Sequence, residues 1–124
     1  MTESTTTEYQ DIVQALLNED QLFSLQERRV NSRQKFVRPS RLICLSKPKD
    51  VLSAFTRDLS GTGIGLLHRF ELEFGEHALI TINRLWDEPV VLKGKLAWCK
   101  KSENGWYQSG WHIDSVESTG KSTS

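Results

Sequence analysis

Residues 58–66 of this 124-residue chain combine residue types and spacings that could bind a charged, hydrogen-bonding ligand. Three glycines within five positions let the backbone turn sharply and expose its N–H groups, which could contact an anion together with a serine hydroxyl. Asp58 and Ser60 stand two positions apart, so their side chains point to the same side at a strand end. The carboxylate could accept two hydrogen bonds from one planar edge, and guanine offers such donors at N1 and at its amino group. Alone, this pattern is also typical of an ordinary structural turn.

The second candidate segment is a cluster of arginines near the N-terminus. The chain has 16 Lys+Arg and 16 Asp+Glu, but residues 1–27 carry six acids and no Lys or Arg, whereas residues 28–41 carry six bases and no acid. The six bases are Arg28, Arg29, Arg33, Lys35, Arg38 and Arg41. Arginine's planar fork favours bidentate contacts with phosphate or carboxylate and also suits the O6/N7 edge of guanine. Two interpretations stay open here: a solvated linker that pairs loosely with the acidic segment, or an anion-binding arm.

Length and composition predict one soluble cytosolic domain. A chain of 124 residues, 37% of them hydrophobic, can bury roughly two-thirds of its unfolded surface without disulfide staples. The balanced charge excludes a general polycation, and no apolar run approaches the ~20 residues that span a bilayer. The N-terminus lacks the basic and apolar regions of a signal peptide. The two cysteines, Cys44 and Cys99, allow one pair at most and are expected to be small core residues.

An amphipathic helix is predicted over residues 6–18. Residues 5–8 have the spacing of a capping box, and one apolar stripe follows: Tyr9, Ile12, Val13, Leu16 and Leu17. Residues 18–20 are expected to interrupt this helix. Leu22, Phe23 and Leu25 predict a second helical stretch that runs up to the arginines. We expect the stripe to pack on the domain's own core, with a partner-binding helix as the alternative.

Short strand-like runs dominate the rest of the chain and predict an antiparallel barrel or sandwich. The runs are residues 36–46, 51–59, 63–69, 77–84, 90–101 and 105–113. Asn104 and Gly105 predict a tight hairpin turn, because both tolerate a positive φ. The expected organisation is an acidic helical segment at 1–27, a barrel domain at 28–114 and a disordered Ser/Thr/Gly-rich tail at 115–124.

Together, the two segments resemble a known family. Arg29 and Arg33 form an RxxxR motif, and Asp58, Ser60 and Gly63 form a D/NxSxxG motif that follows after 25 residues. In this order, among predicted strands, the chain resembles the PilZ domain family, whose members bind the bacterial second messenger cyclic di-GMP. The resemblance covers residues 27–114 and implies a mainly β fold: a six-stranded antiparallel barrel with an N-terminal α-helix and a flexible basic arm at residues 28–35.

The resemblance also implies a role for each motif residue. Arg29 and Arg33 would contact phosphate and guanine from the arm. Asp58 and Ser60 would hold a guanine edge from the barrel surface, and Gly63 would keep the turn open. In the family, a basic residue just before RxxxR accompanies binding of an intercalated ligand pair, and Arg28 occupies that place. We therefore expect two ligand molecules per domain.

The function implied is that of a cyclic di-GMP receptor without cofactor, metal or catalytic residues. His68, His77 and His112 lack the spacing of a metal site with either cysteine. Ligand binding is expected to draw the arm over the barrel, to reorient the N-terminal helix and so to signal to an unidentified protein partner in trans. No DNA partner and no membrane span are expected. The alternative is a barrel that serves as a protein-interaction adaptor or a weak RNA binder through its basic arm.

Overall fold

The computed structural model describes residues 3–21, 34–84 and 88–118. In these parts of the chain, one helix precedes seven strands. The helix is α1 (Glu3–Gln21), and the strands are β1 (Gln34–Lys35), β2 (Pro39–Cys44), β3 (Leu52–Leu59), β4 (Gly63–His68), β5 (His77–Ile82), β6 (Val90–Lys101) and β7 (Tyr107–Ser118). All strand pairings are antiparallel.

Strands β2 to β7 form a closed six-stranded barrel. Their order around the ring is β3-β2-β5-β6-β7-β4, and β4 pairs back to β3. Closure leaves these six strands without an open sheet edge, which protects their backbone hydrogen-bonding groups. The predicted fold class, a mainly β six-stranded antiparallel barrel with an N-terminal helix, is confirmed.

The short strand β1 extends the same edge of β3 that β2 occupies. β2 pairs with the first half of β3, through Pro39 and Phe55, and β1 pairs with its last two residues. Thr56 bridges the break between them: its hydroxyl donates to the Phe36 carbonyl (2.7 Å) and accepts from the Arg38 amide (2.7 Å). Buried backbone groups at the β1–β2 junction are therefore satisfied by one side chain.

Helix α1 packs its apolar stripe into the same hydrophobic core as the barrel. The five stripe residues, Tyr9, Ile12, Val13, Leu16 and Leu17, are all buried. The hydroxyl of Tyr9 donates to the carbonyl of Gly63 at the start of β4 (2.7 Å). The expectation that the stripe packs on the domain's own core is confirmed.

A buried ion cluster fixes the C-terminal half of α1 to the barrel. Glu19 Oε1 lies 3.3 Å from Arg38 Nη1, just before β2, and Glu19 Oε2 lies 2.8 Å from Arg84 Nη2, just after β5. The three side chains are only 8%, 12% and 11% exposed, respectively. Because the strands are antiparallel, the start of β2, the end of β5 and the start of β4 lie at one end of the barrel. Helix α1 therefore covers that end.

Two of the predicted boundaries are wrong, and two segments to which predictions apply lie outside the described residues. Residues 18–20 do not interrupt the helix, which continues to Gln21 because Glu19 is held by two barrel arginines. Strand β7 continues to Ser118 and pairs with β6, so residues 115–118 do not belong to a disordered tail. The second helical stretch around residues 22–25 and the tail residues 119–124 lie outside the described residues.

The predicted hairpin turn between β6 and β7 is confirmed. Asn104 and Gly105 have φ values of 61° and 80°, the left-handed region that a tight primed turn requires. In the described residues, no helix is long and apolar enough to cross a membrane.

A hydrogen-bonded chain of side chains occupies the barrel interior at the end away from α1. In the neutral imidazole of His68 with its proton on Nδ1, this N–H donates to the carbonyl of Phe70 (2.8 Å) and Nε2 accepts from the hydroxyl of Ser109 (2.7 Å). Ser109 in turn accepts from the indole N–H of Trp111 (2.9 Å). A protonated imidazole would make Nε2 a donor and remove this acceptor for the hydroxyl proton of Ser109. Burial lowers the pKa of His68 from its ordinary value of 6.5, and its hydrogen bond to Phe70 opposes that shift.

We expect the domain to lose stability on mild acidification through His68. Below the unfolded-state pKa of 6.5, His68 binds a proton more readily in the unfolded chain than in the folded domain. The contribution is therefore complete above that pH and is lost as the pH falls toward the lower folded-state pKa. Urea unfolding between about pH 7 and pH 5 measures it. His68→Gln should flatten this part of the profile and His112→Gln, at an exposed position, should not; an unchanged profile in His68→Gln would contradict the assignment.

Candidate functional site

The turn between β3 and β4 is fastened by its own serine and glycine. The amide of Ser60 donates to the carbonyl of Gly63 (3.0 Å). The hydroxyl of Ser60 accepts from the amides of Gly63 (3.2 Å) and Thr62 (3.5 Å). The same Gly63 carbonyl accepts the hydroxyl of Tyr9. Ser60 and Gly63 therefore hold a rigid turn that is tied directly to α1.

Asp58 lies on the outer face of the barrel, one residue before the fully buried Leu59. Its carboxylate rests over Gly65, its partner on β4: a Cβ on Gly65 would lie 2.5 Å from Asp58 Oδ1. Only glycine leaves room for the carboxylate there. Arg57 Nη2 lies 3.1 Å from Asp58 Oδ2. Although Asp58 is only 7% exposed, it lines an open cavity.

The structure brings three of the six predicted ligand residues onto one hairpin. Asp58 ends β3, Ser60 begins the turn and Gly63 begins β4. The three predicted arginines, Arg28, Arg29 and Arg33, lie outside the described residues.

The first described residues after the arginines join the barrel beside Asp58. Gln34 pairs with Leu59, and Lys35 pairs with Asp58 itself. Residues 34–35, predicted as part of a flexible arm, are therefore strand residues, which corrects that boundary. The chain that follows the RxxxR motif is thus hydrogen-bonded to the strand that carries the D/NxSxxG motif.

A cavity of about 390 Å³ lies on the outer face next to this junction. Its lining residues are Lys35, Val37, Arg57, Asp58 and Leu67. Two cationic side chains and one carboxylate leave the lining with a net positive charge, and two aliphatic side chains supply apolar walls. This combination suits an anionic ligand with a planar, partly apolar body.

A row of outward positions continues from this site across four strands. Asp58 pairs with Gly65, Gly65 with Gly110, and Gly110 with Trp98. The Trp98 indole lies against Gly110, since a Cβ there would be 2.3 Å from its Nε1. The indole is 38% exposed, and Lys100 Nζ lies 5.6 Å from its ring centroid. The outer face therefore offers an aromatic side chain from β6, with strands β4 and β7 between it and Asp58.

The sequence analysis includes Lys35 in the basic arm but assigns no site role to Arg57, Gly65 and Trp98, which the structure places at or near the candidate site. Gly65 had a usable signal, because it belongs to the glycine-rich segment and stands where a strand partner of Asp58 is needed. Arg57 had no signal at all, since its position depends on a strand irregularity.

No metal site is found in the described residues, which contain no group of three or more His, Cys, Asp or Glu side chains able to hold an ion. Cys44 is buried, and burial raises the pKa of its thiol. This keeps the group protonated and unreactive.

Comparisons with known proteins agree with this geometry. The solved structure of the Bacillus subtilis inhibitor of motility (MotI/DgrA) aligns with a TM-score of 0.57 at 11% identity, over 73% of this chain and 44% of that one. The match thus spans less than half of that chain, and at this identity it shows a shared fold. No curated protein matches this sequence closely enough to count as a relative. The model of the PilZ domain family matches residues 27–123, most of the chain, and this chain belongs to that family.

Proposed function

We propose that this domain is a cyclic di-GMP receptor that binds the messenger between its arginine segment and the outer face around Asp58. PilZ domains are nucleotide-binding receptor domains rather than enzymes. The observation that carries the proposal is the pairing of Lys35 with Asp58. The chain leaving the RxxxR motif is joined to the barrel beside the carboxylate that would hold guanine, and Arg33 stands only two positions before Lys35 in the sequence.

Each motif residue then has a chemical task. The Asp58 carboxylate accepts from N1–H and the amino group of guanine, and Gly65 gives it room. Arg29 and Arg33 contact phosphate oxygens and the O6/N7 edge with their planar forks. Ser60 acts in part through the turn, because its hydroxyl already holds the amide of Gly63.

The structure supports a route from this site to helix α1. Gly63 belongs to the ligand motif, and its carbonyl accepts the hydroxyl of Tyr9. The helix is also anchored through Glu19 to residues at the same end of the barrel. A ligand that shifts the turn therefore changes the docking of α1, and we propose this change as the signal to a protein partner in the cytoplasm.

Calorimetric titration of cyclic di-GMP against cyclic di-AMP tests the proposed function. We expect micromolar binding, about 8 kcal/mol in total, with two cyclic di-GMP molecules per chain, because Arg28 can cover one more guanine face of a stacked pair. Cyclic di-AMP should not bind, since adenine has neither the N1–H nor the 2-amino group through which Asp58 would recognise guanine.

The contrary outcomes are distinct. Saturation at one molecule per chain would contradict the binding of a ligand pair but would be consistent with the receptor function. A domain that ignores both dinucleotides but binds RNA, with affinity falling steeply as salt rises, would be the alternative RNA-binding barrel.

A further inference from the structure

Arg57 occupies an irregular position in β3. The register between β3 and β4 shifts between Thr56 and Asp58, so Arg57 is the extra residue of a bulge. Neighbouring residues on a regular strand point to opposite faces of the sheet. The bulge instead lets Arg57 reach the Asp58 carboxylate on the same outer face, at 3.1 Å.

The guanidinium of Arg57 is incompletely satisfied in this arrangement. Its Nε is buried and has no hydrogen-bond partner in the described part of the protein. A buried donor without an acceptor is unfavourable, so the contact with Asp58 leaves a group that an incoming acceptor could satisfy. Arg57 also lines the 390 Å³ cavity, together with Lys35 and Val37.

We propose that Arg57 is a ligand-binding residue outside both motifs, which exchanges the Asp58 carboxylate for a phosphate of the ligand. This inference rests on the proposed function. In the free domain, Arg57 neutralises Asp58. When guanine takes the carboxylate through its N1–H and amino group, Arg57 turns its Nε and Nη2 toward a phosphate oxygen, next to the ammonium group of Lys35. The buried Nε then gains an acceptor, and the cavity's net positive charge is matched by an anion.

Calorimetric affinities of the full chain for cyclic di-GMP test this exchange. We expect Arg57→Ala to weaken binding about tenfold or more, as for loss of a bidentate arginine contact. The affinity of Arg57→Lys should lie between those of the wild type and Arg57→Ala, because lysine keeps the charge and lacks the planar fork. The matched control is Arg41→Ala, an exposed arginine on neighbouring β2, which should bind like the wild type. Thermal unfolding verifies that each variant is folded.

A second series separates direct contact from an effect through Asp58. Asp58→Asn removes the ion pair and keeps the side-chain shape. In that background, adding Arg57→Ala should again weaken binding about tenfold. No added effect there, or unchanged or tighter binding by Arg57→Ala alone, would overturn the inference while leaving the receptor function intact. A wild-type chain that binds no cyclic di-GMP would overturn both.

Discussion

Asp58→Ala is expected to weaken cyclic di-GMP binding at least a hundredfold while the barrel stays folded. Two hydrogen bonds to a charged acceptor are lost, which together contribute about 3 kcal/mol or more of a total near 8 kcal/mol. The barrel tolerates the change because Asp58 points to the outer face and the core residue Leu59 is untouched. Calorimetry measures the affinity, and Asp50→Ala, at an exposed loop position, is the matched control.

Arg29→Ala tests the other half of the site in the same titration. Residue 29 belongs to the RxxxR motif, so a loss of affinity of similar size is expected if the arginine segment and the barrel face form one site. Loss in Asp58→Ala without loss in Arg29→Ala would mean that the barrel face binds the ligand alone. Wild-type affinity in both variants would refute the proposed function.

Gly65→Ala should displace the Asp58 carboxylate without removing any side chain that would contact the ligand. The new Cβ would lie 2.5 Å from Asp58 Oδ1, so the carboxylate must move away from the position that the bare glycine permits. Binding should fall with both motifs intact in sequence. Unchanged affinity in Gly65→Ala would show that the carboxylate is free to relocate, and the site would then be less preorganised than its geometry indicates.

Local patterns were sufficient to predict the elements of this fold. The apolar spacing of α1 identifies its buried face, and the strand-like runs predict all six barrel strands. The Asn104–Gly105 turn is readable from two residues, because positive φ is a local property. Half of the predicted ligand residues, those of the D/NxSxxG motif, are likewise adjacent in sequence and fall together on one hairpin.

Features that depend on distant partners could not be predicted from the sequence. From the sequence alone, Glu19 is predicted to lie in a segment that interrupts the helix. Its partners Arg38 and Arg84 are 19 and 65 positions away in the chain, so no local pattern indicates that they hold it. Arg57 reads as an ordinary strand residue, since a bulge is set by the pairing of two strands and leaves no fixed signature in one. Lys35 reaches the site only because β1 pairs with β3.

We expect the largest loss of stability from a single near-isosteric substitution at the ion cluster around Glu19. Glu19→Gln keeps the size of the side chain and removes its charge, which leaves two nearly buried arginines without their shared carboxylate. Breaking a buried pair in this way costs roughly 3–5 kcal/mol, a large part of the stability of a domain of this size. Urea unfolding measures the change. Glu8→Gln, at an exposed position on the same helix, should stay within about 0.5 kcal/mol of the wild type.

A double-mutant cycle with Arg84→Gln isolates the ion pair from other effects of the substitution. If the charges stabilise one another, the double variant is less destabilised than the sum of the two single variants. Additive losses would contradict a direct interaction.

The same variants bear on signalling, because coupling between two sites is reciprocal. If ligand binding alters the docking of α1, then a Glu19→Gln variant that loosens α1 should change the affinity for cyclic di-GMP, by at most the factor that couples the two sites. A large loss of stability with unchanged affinity would therefore separate the anchor of the helix from the ligand site.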